Sequence, residues 1–289
     1  MDISYYQEQL EAKEDMLART TEFLGQIQNF LTEKNHHLLN IQRETIDSVN
    51  FAKMIQESLQ PDVNLLKIFF KDAAYRIIQQ IGIGGDTVFV KSTNSGIVFC
   101  LLDATGHGIP AAMLSISGSL ILNDITSSIE IDDPSVLLKL LNYRLYKTFN
   151  KGRSSIAHFE GTAFFYSTKH NSLSYSSAKG RASFINSKGD FISLTGQKIS
   201  IGENPEAEFE RFELAFQKGE KLLLFSDGLT DQFGGENDKK FSIARLKKLI
   251  LDHLAKNVSQ LVDIIHQEHL IWKGNNKQTD DLSYKLIQF

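Results

Sequence analysis

Residues 97–118 read IVFCLLDATGHGIPAAMLSISG, an apolar run that stops at an acid and a glycine-rich turn. Residues 97–102 have the pattern of a strand that is buried on both faces. Asp103 follows at the end of this strand, and residues 106–110 form a turn before a helix rich in small residues. An isolated Asp at such a place can simply cap the helix. The stretch therefore predicts a carboxylate at the rim of a sheet. Whether it caps the helix or takes part in a site depends on whether other acids lie near it.

Three further motifs place acids next to glycines or at the mouths of predicted strands. IGIGGD ends at Asp86, and LLLFSDGLTD carries Asp227 directly after an apolar run, with Asp231 four residues later. QTDD places Asp280 and Asp281 just before the last strand. Clustered carboxylates without Cys or His partners at ligand spacing favour hard cations such as Mg²⁺ or Mn²⁺ over Zn²⁺.

The order GGD, DATGHG, SDGLTD and TDD resembles the metal-dependent PPM serine/threonine phosphatases, and most closely their bacterial SpoIIE/RsbU-type branch. The resemblance covers about residues 45–289. It implies an αββα sandwich, in which two antiparallel sheets are flanked by helices and the metals lie between the sheets at one edge. The grouping of the predicted strands and the pairing of the helices separately indicate an α+β fold.

The resemblance also implies which residues bind two Mn²⁺ or Mg²⁺ ions and act in catalysis through a metal-activated water. The implied carboxylate ligands are Asp86, Asp103, Asp227 and Asp280. The backbone carbonyl of Ala104 is a further implied ligand. Asp231 is expected either to help bind a weaker third ion or to cap a helix. Asp281 is expected to support its neighbours or cap the strand.

His107 and Cys100 are weaker candidates for catalysis. His107 stands four residues after Asp103, whereas animal-type enzymes of this family carry a tighter DGH, so we expect a role in structuring the turn. Cys100 lies within the predicted buried strand, and no His is placed to activate its thiol.

The first 60 residues contain no proline and one glycine, and they predict one long helix. Leucines recur in strict heptad register at positions 10, 17, 24, 31 and 38. This seam predicts a coiled coil and a homodimer through residues 1–45. The alternative is a long helix that packs back on its own domain. Pro61 ends the helix, so we expect a regulatory and dimerising segment at 1–60 and a phosphatase domain at 61–289.

Short predicted strands and helices follow Pro61. The predicted strands are 74–82, 87–91, 97–102, 161–167, 172–178, 183–186, 190–194, 221–225 and 282–288, and the predicted helices are 110–127, 134–149, 242–255 and 259–272. The polar segment 150–160 lacks periodicity and is predicted to be an exposed loop.

Composition excludes several classes of protein. The 289 residues are 42% hydrophobic and carry a net charge of −4, which supplies a core but no basic surface for nucleic acid or an anionic membrane. The apolar runs are strand-sized, and the N-terminus lacks the features of a signal peptide. With its single cysteine, the chain is expected to be cytoplasmic.

The resemblance thus implies a metal-dependent enzyme that removes phosphate from phosphoserine or phosphothreonine on a protein. The resemblance implies a substrate of the STAS type, a phosphorylated anti-sigma-factor antagonist in a partner-switching pathway. The alternative is a catalytically silent dimeric scaffold with the same fold. All four core acids are present, which favours the enzyme.

Overall fold

The computed structural model describes residues 3–62, 64–152 and 157–289, with the backbone alone for residues 3–7. By its internal contacts the chain divides into two units, one up to Phe51 and one from Ala52 onward. The predicted regulatory role of residues 1–60 stays a prediction.

The N-terminal unit consists of helix α1, which spans Ile3–Ser58 and so ends in the second unit. The uninterrupted helix agrees with the absence of proline before Pro61. All five heptad leucines are exposed in the single chain, by 56% at Leu31 and 67% at Leu17. The seam is therefore apolar surface that the rest of this unit leaves uncovered.

The second unit contains two five-stranded sheets, and every strand pair in them is antiparallel. One sheet has the strand order β2-β3-β4-β5-β8, with bounds Thr87–Ser92, Gly96–Ala104, Phe159–Ser167, Ser172–Ala178 and Phe212–Leu214. The other has the order β1-β12-β9-β6-β7, with bounds Asp72–Ile78, Leu282–Gln288, Lys221–Phe225, Arg181–Ile185 and Phe191–Leu194. A small hairpin pairs β10 (Phe233–Gly234) with β11 (Lys239–Lys240).

Helices cover the outer faces of both sheets. The bounds of the helices in this unit are α2 Asn64–Phe69, α3 Gly108–Ser128, α4 Pro134–Leu145, a π-helical turn Tyr146–Asn150, α5 Asp227–Asp231, α6 Ile243–Asp252 and α7 Val258–Lys273. Leu66 of α2 packs between the sheets and not on an outer face. Helices α3 and α4 pack on the first sheet, and α6 and α7 pack on the second. A third apolar cluster, which includes Phe99, Phe164 and Leu224, lies between the sheets. This layering confirms the predicted αββα sandwich.

Helix α3 is the one helix in the described part of the chain that is long and apolar enough to cross a membrane. Its Leu122 and Ile125 are, however, fully buried against the first sheet. Core helices of globular proteins commonly have this composition. The apolar character of α3 is therefore explained by its packing.

Several predicted elements need correction. The strand predicted to reach Gly82 ends at Ile78, because the backbone turns away where Gln80 donates its N–H to the Asp281 carboxylate at 2.7 Å. The predicted loop 150–160 lies partly outside the described residues, but Phe159 and Glu160 already belong to β4. The short elements α2, β8, α5, β10 and β11 were not predicted, since six or fewer residues carry little periodicity.

Candidate metal centre

A pocket of about 250 Å³ lies where β3 of one sheet ends beside the end of β9 and the start of β12 of the other sheet. Three of the four predicted carboxylate ligands line it, namely Asp103, Asp227 and Asp280. The predicted carbonyl ligand Ala104 lines it too. The fold therefore brings Asp103 close to Asp280, which follows it by 177 positions in the sequence.

Strand register explains how Asp103 and Asp227 come to this pocket. Side chains alternate across a strand, so Asp103 shares the inward face of Phe99 and Leu101, which pack between the sheets. Asp227 follows the last residue of β9 by two positions and begins α5. Gly228 lies so close to the Asp281 carbonyl that a Cβ atom there would collide with it.

Asp86, the fourth predicted ligand, is buried next to this pocket with only 2% of its surface exposed. Its Oδ2 accepts a hydrogen bond from the Ser226 hydroxyl at 2.7 Å. Its Oδ1 has no hydrogen-bond partner among the described residues. A buried carboxylate oxygen without a partner is costly. A cation is the kind of ligand that would satisfy it.

The acids of this centre repel one another in a poorly solvated place. Burial and the neighbouring Asp103 raise the pKa of Asp86 well above its ordinary value. Burial, with added repulsion from Asp227 and Asp280, raises the pKa of Asp103 to about 8. Burial also raises the pKa of Asp280. Such shifts occur where a site is built to hold positive charge.

Asp281 holds the β1–β2 loop, residues 79–86, rather than facing the pocket. Its two carboxylate oxygens accept hydrogen bonds from the backbone N–H groups of Gln80, at 2.7 Å, and Gly85, at 2.6 Å. Gly84 packs so tightly against the same carboxylate that it has no room for a side chain. Asp281 therefore positions the loop that carries Asp86.

The end of helix α1 holds the same loop from the other side. The Gln56 side chain, 8% exposed, donates to the Gly84 carbonyl at 2.6 Å and to the Ser115 hydroxyl at 2.7 Å. Ser115 also donates to the Gly84 carbonyl at 3.0 Å. The position of Asp86 thus depends on contacts from α1, α3 and the start of β12.

Asp231 and His107 each had two possible roles in the sequence analysis, and of the two only His107 lines the pocket. Asp231 lies at the end of α5, outside the lining of this pocket, and its carboxylate accepts a hydrogen bond from the Lys240 ammonium at 2.7 Å. His107 lines the pocket and precedes α3, yet its side chain makes no capping hydrogen bond. The expected turn-structuring role of the His107 side chain therefore has no support in its bonding.

Sequence reasoning missed four residues that surround the acids. His158 and Glu160 line the pocket, and Glu160 lies directly opposite Asp103 in the β3–β4 ladder. The Arg181 guanidinium lies 3.5 Å from Asp227 and 3.9 Å from Glu160. Ser226 bonds Asp86. Pairing of the two predicted strands could have found Glu160, but the segment was assigned to a loop.

The donor set fits hard divalent cations. Within residues 3–62, 64–152 and 157–289, no three acidic, histidine or cysteine side chains already stand close enough to enclose an ion. The acids nevertheless converge on one pocket, they offer only oxygen donors, and Asp86 Oδ1 lacks a partner. Mg²⁺ and Mn²⁺ prefer such oxygen ligands.

The profile of the family described as Stage II sporulation protein E (SpoIIE) matches residues 93–289, which are 197 of the 289 residues. The chain belongs to the SpoIIE family. The matched residues include Asp103, Asp227 and Asp280, whereas Asp86 lies before them. This SpoIIE-family chain is also 26% identical over 246 residues to the phosphoserine phosphatase RsbU of Bacillus subtilis (strain 168). That alignment covers 82% of the chain and 69% of RsbU.

Solved structures share the fold of this family member. The PP2C domain of SiaA from Pseudomonas aeruginosa superposes with a TM-score of 0.77 at 20% identity, covering 86% of the chain and 98% of that domain. The catalytic domain of the serine/threonine protein phosphatase PstP, solved with two manganese ions, gives a TM-score of 0.55 at 14% identity, with 75% and 97% covered. The predicted membership of the SpoIIE/RsbU-like branch of PPM-type phosphatases is confirmed.

Proposed function

We propose that the chain is a phosphatase that hydrolyses phosphoserine or phosphothreonine on a protein and depends on two Mn²⁺ or Mg²⁺ ions. The supporting observation is the convergence of acids from both sheets on one pocket, beside a buried Asp86 with an unpartnered oxygen. Asp86, Asp103, Asp227 and Asp280, with the Ala104 carbonyl, are the residues that would hold the ions. When bound, such ions lower the pKa of a water and offset charge on the phosphoryl oxygens.

The protein groups around the pocket have separate tasks in this proposal. Asp103 and Asp227 supply negative charge from rigid strand ends, so the site keeps its shape without a ligand. Arg181 offsets part of that charge through Asp227 and Glu160. A third, weaker ion at Asp231 would require Lys240 to release the Asp231 carboxylate.

Asp103→Asn and Asp86→Asn test the proposal. Each should lower manganese-dependent hydrolysis of an aryl phosphate by more than about tenfold, equivalent to about 1.4 kcal/mol of barrier. Asp252→Asn, at the exposed end of α6, is the matched control and should keep full activity. Retention of more than a tenth of the rate in both site variants would rule out the metal assignment. Inactivity of the wild-type chain with manganese would favour the alternative of a silent scaffold.

We further propose that the substrate is a phosphorylated STAS-type anti-sigma-factor antagonist. The support is membership of the SpoIIE family and the likeness to RsbU, which is itself named a phosphoserine phosphatase. Release of phosphate from such a protein should exceed release from an unrelated phosphoserine protein under the same conditions. Equal rates on both would contradict this choice of substrate.

We also propose a homodimer through residues 1–45, in the reducing environment of the cytoplasm. The exposed leucine seam of α1 would be covered by a second copy, and the single cysteine, Cys100, is buried and free. Light scattering should give twice the mass of one chain for the full protein and a smaller assembly when residues 1–60 are removed. A monomer at micromolar concentration would contradict the dimer.

A further inference from the structure

A second cavity, of about 590 Å³, lies beside the metal pocket. Its walls come from β6, from the segment that begins with β7, and from the region between α5 and α6. Leu194 and Phe225 contribute its apolar lining, and both are almost fully buried. The size and the apolar lining are typical of a ligand site. We refer to this cavity as the basic groove.

Four basic side chains line the basic groove, and one acid accompanies them. The basic residues are Lys179, Arg181, Lys198 and Lys240, and the acid is Asp231. The Lys240 ammonium is paired with Asp231 at 2.7 Å. Lys198 is exposed and makes no hydrogen bond or ion pair in the described part of the chain. Lys179 and Arg181 are paired with acids outside the groove lining, so among the described residues Lys198 is the one cation of the groove without an ion pair.

Arg181 connects the basic groove to the metal pocket. Its guanidinium lines the groove and lies 3.5 Å from Asp227, which lines the pocket. Lys179 makes a similar link, since its ammonium lies 3.6 Å from Glu160. A polypeptide whose phosphorylated side chain enters the pocket would therefore pass its neighbouring residues along the groove.

The basic groove crosses three neighbouring strands of the second sheet. Its lining includes Phe225 of β9, Arg181 of β6 and Leu194 of β7, and it continues to Lys198 after β7. Extended peptides commonly bind in grooves that offer an apolar floor and polar groups at the rim. The unpaired Lys198 adds a preference for carboxylate side chains in that peptide.

We propose that the basic groove binds the acidic segment that flanks the phosphorylated residue of the substrate protein, with Lys198 as a determinant of this specificity. The inference rests on the proposed phosphatase function. Its test therefore includes a binding measurement that does not require turnover.

The test compares two labelled phosphoserine peptides, one flanked by Asp and Glu and the other flanked by Lys, by fluorescence anisotropy and by phosphate release. The wild type should bind the acidic peptide at least about fivefold more tightly at low salt, with a smaller preference at high salt. Lys198→Glu should raise the Kd for the acidic peptide about fivefold or more and lower the Kd for the lysine-flanked peptide. Lys188→Glu, in the exposed turn between β6 and β7, makes the same charge change outside the groove and should alter neither value.

Equal Kd values of the wild type for both peptides would overturn the inference. An equal loss of affinity for both peptides in Lys198→Glu would do the same, because it would indicate a general structural effect. The wild type could also bind the acidic peptide more tightly yet release no phosphate from either peptide or from an aryl phosphate. That result would support the proposed role of the basic groove and would count only against the proposed phosphatase function.

Discussion

Replacement of Gln56 by Ala should weaken metal binding although Gln56 touches none of the predicted ligands. Its side-chain amide is buried at the end of α1 and donates to the Gly84 carbonyl at 2.6 Å. Asp86 follows two residues later. The variant removes this contact, the 2.7 Å contact to Ser115 and the 3.4 Å hydrogen bond that the Gln56 side-chain oxygen accepts from the Gly84 N–H. It also leaves a small cavity.

The structure sets the size of the effect. A buried hydrogen bond contributes about 1 kcal/mol, so three bonds, one of them long, and the cavity together give about 3 to 4 kcal/mol of unfolding free energy. The Gly84 carbonyl keeps the Ser115 hydroxyl as a donor at 3.0 Å, which limits the loss. If about 1.4 kcal/mol of this total is the free energy that holds the β1–β2 loop in its metal-binding position, the manganese concentration for half-maximal activity rises about tenfold.

The assay is a manganese titration of aryl phosphate hydrolysis, combined with chemical unfolding of the same preparations. Gln60→Ala is the matched control, because Gln60 is exposed just after α1 and its side chain makes no hydrogen bond in the described residues. The reasoning fails if Gln56→Ala lowers stability but leaves the manganese midpoint within about twofold of the wild type. Gln56 would then only support the fold.

Three further predictions concern other parts of the fold. Lys285→Met should stabilise the protein by at least about 1 kcal/mol at pH 7, because the Lys285 amine is buried without a hydrogen-bond partner among the described residues and burial lowers its pKa to about 7. In the unfolded chain the Lys285 amine keeps its proton up to about pH 10, whereas in the folded chain it loses the proton near pH 7. The stability of the wild type should therefore rise relative to that of the variant from pH 7 towards pH 10, and urea unfolding at both pH values checks this sign. Asp281→Ala should raise the manganese midpoint at least about tenfold, since the Asp281 carboxylate accepts hydrogen bonds from two backbone N–H groups of the β1–β2 loop. A similar shift in Asp231→Ala would argue against this loop-specific cause. His107→Ala should reduce kcat by less than about tenfold, and a loss as large as that of Asp103→Asn with manganese still bound would assign His107 a catalytic role.

Local pattern was sufficient for several strands of both sheets and for the acids that adjoin three of them. Residues 97–102 lie within β3, and the predicted strands 172–178, 221–225 and 282–288 match β5, β9 and β12 in both bounds. Apolar runs such as 97–102 and 221–225 are characteristic of strands that are covered on both faces, as both sheets are here. The acids beside β3, β9 and β12 lie at one edge of the sandwich, where Asp103, Asp227 and Asp280 line the same pocket.

Long-range contacts explain the parts that local pattern missed. The register of β4 against β3 places Glu160 in the pocket lining. The register of β6 against β9 brings Arg181 to 3.5 Å from Asp227, which lines the pocket. Neither residue stands near an acidic motif in the sequence. The short segments α2 and α5 became helical in their tertiary setting, where too few residues are present for a periodic signal.

The placement of Asp86 connects the end of the N-terminal helix to the centre of the site. The β1–β2 loop has no regular structure of its own, and three separate side chains fix it: Gln56 and Ser115 at Gly84, and Asp281 at Gly85. Asp86 is buried, and one of its oxygens has no hydrogen-bond partner among the described residues. A small displacement of this loop would therefore change how well Asp86 could act with Asp103 in the proposed metal site. Any rearrangement that moves the last turn of α1 must therefore either break the Gln56 contacts or carry the loop with it. The Gln56→Ala titration measures whether these contacts contribute to metal affinity, because coupling between a helix and a site has to be measured as a shared free energy.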